Sequence, residues 1–171
     1  SKTVIGTIAK TVGVASMIFG GTLGGLVMFK LGINKSLWIF GFIQMLSILG
    51  FALLNEVGPN EAVFSAVVAF EYLGVGLGSA ALMAYIAKNT SKNFTGTQLA
   101  LLSSFFAIPK SFSGLIAGII VEGVSVNDTY LAPLFGQFNG LGYTNFFYIC
   151  TVLAFPGMIL LIWVAPWNKR E

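Results

Sequence analysis

The 171-residue sequence contains no histidine and a single cysteine, and only 9% of its residues are charged. The first two shortages exclude haem axial pairs, multi-ligand zinc sites, histidine-based nucleophilic triads and a disulfide framework. The third excludes a water-soluble globular domain, which needs about 25% charged residues to cover its surface. Basic runs longer than two residues are also missing, so the net charge of +3 and the pI near 9.1 build no arm for nucleic acid. Paired intramembrane carboxylates and an activated serine are absent as well. The sequence therefore reads as a non-enzyme that needs no cofactor.

What is present is apolar. Hydrophobic residues make up 56% of the chain, and the mean hydropathy is +0.88. A helix that crosses about 30 Å of hydrocarbon needs roughly 20 mainly apolar residues, because lipid offers no partner for unpaired backbone groups. Five stretches meet this requirement, at about 4 to 29, 36 to 54, 62 to 87, 96 to 121 and 142 to 165. A transmembrane barrel would alternate polar and apolar residues, and Phe147 to Trp163 does not. The expected fold is all-α: a single polytopic bundle of about five membrane helices, with the lipid bilayer as its solvent.

Lysine and arginine orient the spans. One set of connections carries Lys30, Lys35, Lys88, Lys92, Lys169 and Arg170, whereas the opposite set carries Glu56, Glu61, Glu122 and Asp128, with Lys2 as its one basic residue. The first set is expected in the cytoplasm, together with the C-terminus. The N-terminus then starts outside without a signal sequence, which implies a preceding span and a larger transporter or pore. Residues 122 to 141 form the one long external connection, read either as a connector or as a lid over a vestibule. Its Asn127-Asp128-Thr129 matches a glycosylation triplet.

Three charged residues fall inside spans: Lys10, Glu71 and Lys110. Each costs about 2.5 to 3.5 kcal/mol on insertion scales, which makes function or pairing the default reading. At 3.6 residues per turn, Lys10 shares a face with Gly6, Thr7 and Gly13, Glu71 with Gly74 and Gly78, and Lys110 with Ser103, Ala107, Ser113 and Gly114. Counted at 1.5 Å per residue from the external ends, the three lie about 10, 14 and 17 Å deep and can share one layer. Two cations and one anion leave a net positive site, suited to an anionic small-molecule substrate. Lys10 can instead snorkel to the interface. Glu71 can form an internal ion pair, carry a coupling proton or touch substrate. Gln98, Gln44, Ser103 and Ser104 are further candidates for a polar path, and Trp38, Trp163 and Trp167 for interfacial anchors. Glycines four apart, at Gly20 and Gly24, Gly21 and Gly25, Gly74 and Gly78, and Gly114 and Gly118, suit close helix packing. Pro109 and Pro156 are expected to kink or break the fourth and fifth spans.

Specific words in the sequence add a family. Phe94-Thr-Gly-Thr-Gln-Leu-Ala-Leu-Leu-Ser103, then Gly114-Leu-Ile-Ala-Gly118 and Val121-Glu122, then Gly142-Tyr-Thr-Asn-Phe-Phe147 and Pro156-Gly157 follow in order. Together with Lys10-Thr-Val-Gly13 and Phe70-Glu71, they resemble the AmpG-type muropeptide permeases of the major facilitator superfamily. The resemblance covers almost the whole chain. It implies the C-terminal half of a twelve-helix carrier, with this chain supplying the eighth to twelfth helices and the N-terminal half as the missing partner. It further implies proton-coupled import of anhydro-muropeptides for peptidoglycan recycling in the bacterial inner membrane. Lys10 and Lys110 would hold substrate carboxylates, and Glu71 would pair with them or exchange a proton. Departures fall at Lys110, where the family usually has arginine, and at Pro109, Tyr72 and Leu115. Related acetyl-coenzyme A carriers and a non-transporting membrane scaffold are the alternative readings.

Overall fold

The computed structural model describes residues 2–57, 60–91, 95–124 and 138–167. Five long helices carry the fold: α1 (Lys2–Leu31), α2 (Ile33–Val57), α3 (Glu61–Lys88), α4 (Thr95–Glu122) and α5 (Gly142–Val164). All five contain a stretch long and apolar enough to cross a membrane. The expected all-α membrane architecture is thus observed. The helices outrun several of the expected spans by a few residues, as at Ile33, Asn34 and Lys35, which lie in the first turn of α2. Hydropathy marks the lipid-facing stretch, whereas helical hydrogen bonding continues into the polar interface.

The connection between α1 and α2 shrinks to Gly32. Its φ is 83°, a left-handed conformation that side chains resist, and its N–H donates to Met28 O at 2.9 Å while its carbonyl accepts from Ser36 N at 3.2 Å. α3 starts on an N-cap: Asn60 Oδ1 accepts from the N–H groups of Ala62 at 3.0 Å and Val63 at 3.3 Å. Beyond α4, β1 (Gly123–Val124) pairs antiparallel with β2 (Phe138–Asn139), and Leu141 N donates to Ile120 O at 2.9 Å. This two-residue ladder clamps the ends of α4 and α5 together. The interior of the long connection expected outside, residues 125–137, lies outside the described residues, and with it the glycosylation triplet and the lid reading.

Packing follows the glycines. α1 and α3 run parallel and make the most extensive contact in the bundle. A Cβ at Gly20 would collide with the Leu73 carbonyl, and one at Gly76 would stand 2.8 Å from Gly21 N. Gly24 lies against Leu77 and Ala80. Lipid does not drive helices together by the hydrophobic effect, so this close backbone approach, with its dispersion contacts, is what joins the pair. Gly25, Gly78, Gly114 and Gly118 face open space, so four of the eight glycines in the expected seams, including both of the α4 pair, make no close approach in this bundle.

α2 runs antiparallel to α3 and to α5. On one side Gly50 meets Val67; on the other Phe51 stacks on Phe147 with ring centroids 5.3 Å apart. The buried core of Phe40, Leu77 and Ala81, flanked by Leu23, Val27 and Leu37, joins the first three helices. α4 is the least packed element: it touches α5 and α3 lightly, and Ile119 is its one buried residue among those described. Pro109 and Pro156 both sit inside continuous helices, so neither breaks its span.

Candidate functional site

Glu71 stands in the middle of α3, half-buried, on the side turned to α2. Gln44 and Ser47 of α2 are three residues apart and share a face, so both reach the same point. Gln44 Nε2 donates to Glu71 Oε1 at 2.8 Å, and Ser47 Oγ donates to Oε2. Ser47 Oγ also lies 2.7 Å from the Gln44 carbonyl oxygen. Each carboxylate oxygen therefore has a donor in the protein. Hydrogen bonds to a charged group are worth about 1.5 to 3 kcal/mol each, which offsets a large part of the cost of holding a carboxylate at this depth. Gly74, one turn along α3, makes room for the contact: a Cβ there would stand 2.9 Å from Gln44 Oε1.

Lys10 and Glu71 lie at nearly the same level. Gly13, one turn after Lys10, faces the Tyr72 ring, where an added Cβ would stand 3.2 Å from the ring, so the lysine sits about one turn from the layer of the carboxylate. Yet Lys10 is exposed, and among the described residues neither it nor Lys110 makes an ion pair with Glu71. The partners described for the Glu71 carboxylate are Gln44 and Ser47, a polar clamp to α2. Lys110 is exposed on α4, beside Ser111 and Ser113, whose hydroxyls return to the carbonyls of Ala107 at 3.1 Å and Lys110 at 2.8 Å.

The remaining candidates separate. Gln98 stands in the first turn of α4, where its Oε1 accepts from Ser91 N in the preceding connection at 2.8 Å. From Glu71 to the end of α3 is roughly 25 Å of helix, so Gln98 serves the turn and stands apart from the charged layer. Ser103 is half-buried on α4, and Ser104 bonds back to Ala100 O at 2.8 Å. At this same end of the molecule, Trp38 Nε1 donates to Ala165 O at 2.9 Å, Tyr85 Oη donates to Val164 O at 2.9 Å, and the Lys35 ammonium lies 5.9 Å from the Trp167 ring centroid. These polar and aromatic groups tie the ends of α2, α3 and α5 together. Ser47 is the residue the sequence reading missed. The available signal was that Gln44 and Ser47 are the polar side chains in the middle of α2 and fall on one face.

No protein-family model matches the chain. Individual proteins do. An uncharacterized protein of Haemophilus influenzae is 39% identical over all of this chain, which spans 38% of that protein. The anhydromuropeptide permease of Escherichia coli K12 is 32% identical over 92% of the chain and 29% of its own length. A Rickettsia felis transporter named AmpG 4 is 30% identical over 99% of the chain and 36% of its own length. The chain is a homologue of the AmpG-type permeases. The motif resemblance is thereby confirmed along nearly the entire sequence. The chain spans about a third of the length of these relatives. It is a multi-pass bundle with its intramembrane charges distributed over α1, α3 and α4.

Proposed function

We propose that this chain forms part of a secondary carrier that imports anhydro-muropeptides across the bacterial inner membrane, coupled to protons, with its C-terminus in the cytoplasm. Similarity to the Escherichia coli anhydromuropeptide permease over 92% of the chain carries the proposal. The charges support it. An intramembrane lysine without a counter-ion costs about 2.5 to 3.5 kcal/mol on insertion scales, and a substrate with carboxylates supplies the missing charge. Lys10 and Lys110, exposed on α1 and α4, are the residues assigned to hold such a substrate. Glu71 is assigned the coupling proton, because its partners are neutral amide and hydroxyl groups and leave it able to take either charge state. The exposed, lightly packed α4 provides a face for the rest of the carrier, against which this bundle would rock to alternate access.

The test is uptake of a labelled anhydro-muropeptide by cells expressing the product of the complete gene. Protonophore-sensitive uptake that is lost in Glu71→Gln and reduced at least tenfold in Lys110→Ala is expected. Normal membrane expression without uptake would reject the substrate, and uptake indifferent to the protonophore and to Glu71→Gln would reject the coupling.

A further inference from the structure

Ser47 has one proton to donate and two acceptors within reach. Its Oγ lies 2.7 Å from Gln44 O and in hydrogen-bond contact with Glu71 Oε2, while Gln44 Nε2 holds Oε1 at 2.8 Å. The serine is fully buried, so no bulk water completes the arrangement. With Glu71 ionised, the hydroxyl donates to Oε2, the amide donates to Oε1, and both carboxylate oxygens are satisfied. With Glu71 neutral, the added proton sits on Oε2 and donates to a lone pair of Ser47 Oγ. The hydroxyl then turns to Gln44 O, and the amide keeps Oε1. One hydrogen rotates, one proton is gained from solvent, and no heavy atom has to move.

The surroundings permit both states. From α1, the charged groups are Lys2 at its start, Lys10, which is exposed, and Lys30 in the last turn; from α2, they are Lys35 and Glu56 near its ends. On α3 itself, Tyr72 is turned to Gly13, and Glu61, Tyr85 and Lys88 lie more than two turns away. On α4 they are Lys110 and Glu122, both exposed. The tyrosines of α5, Tyr143 and Tyr148, are exposed too. Among the described residues none of these makes an ion pair or hydrogen bond with Glu71.

We propose that Ser47 is a positioning residue for Glu71, a hydroxyl rotor that lets the contact between α2 and α3 hold the carboxyl in one place whether or not it carries a proton. The proposal rests on reading Glu71 as the coupling carboxyl.

Infrared difference spectra of the complete protein in lipid nanodiscs, recorded as pH is varied, test it without any transport step. A protonated-carboxyl band that grows as pH falls and is absent in Glu71→Gln identifies the group. Ser47→Ala is expected to change the proton affinity about tenfold, one pH unit in the midpoint, because the two states lose hydrogen bonds of unequal strength. Ser47→Thr keeps the hydroxyl and restores the midpoint. If Ser47→Ala does not fold, Ser47→Cys, a weak donor of similar size, must move the midpoint in its place. An unmoved midpoint in a folded variant overturns the proposal, and so does the lack of any band sensitive to Glu71→Gln. A shifted midpoint in a protein that imports no muropeptide supports the rotor and rejects the transport reading. Import with an unmoved midpoint does the reverse.

Discussion

Removing the Glu71 carboxylate would strand two donors in the α2–α3 contact, the Gln44 amide and the Ser47 hydroxyl. Glu71→Ala is therefore expected to lower stability by about 1 to 3 kcal/mol, the cost of unsatisfied buried polar groups. Glu71→Gln, which retains an acceptor and a donor in the same place, should lose less than half of that. Equilibrium unfolding in mixed detergent micelles separates the two, and equal losses would argue against a hydrogen-bonded clamp. Trp38→Phe removes the bond to Ala165 O and keeps the ring, so a smaller loss of about 1 kcal/mol is expected in the same measurement.

Among the described helices, α1 and α3 approach most closely, at Gly20 and Gly76. A side chain at either position meets backbone, which cannot swing aside. Gly20→Val should cost about 1 to 3 kcal/mol as the two helices are forced apart. Gly25→Ala and Gly78→Ala, with nothing within 4 Å of the new methyl group, should be neutral. Thermal unfolding of the three variants checks this; equal effects would mean that helix propensity, rather than the contact, sets the outcome. Glycine spacing alone did not distinguish these positions: Gly20, Gly25 and Gly78 all belong to four-residue repeats, whereas Gly76 belongs to none and still meets backbone. Which of the seams is used depends on the rotation of each helix about its axis, and only packing decides that.

For the whole molecule, the ends of α1 and α3 next to Lys30, Lys35 and Lys88 are expected in the cytoplasm, because positive charge is retained on that side during insertion. A fluorescent protein fused after Glu171 should fluoresce, and an alkaline phosphatase fused there should be inactive. The opposite pair of results would reverse the orientation and turn Lys10, Glu71 and Lys110 toward the inner half of the membrane.

The number of helices, their approximate limits and the membrane as their solvent were legible in the sequence, because lipid imposes a length and a polarity that no later packing can relax. The intramembrane charges were legible for the same reason: Lys10, Glu71 and Lys110 are costly wherever the helices turn. Their partners were not. Gln98 shares the composition of a polar path yet serves a turn at the far end of α3, and Ser47, an unremarked serine, lies under the carboxylate. Periodicity reports which residues of one helix share a face, whereas a hydrogen bond between helices needs the register and rotation of both. Those are set by the close approach of Gly20 to Leu73, the close fit of Gly74 to Gln44 and the single-residue turn at Gly32, contacts that exist only once the chain has folded.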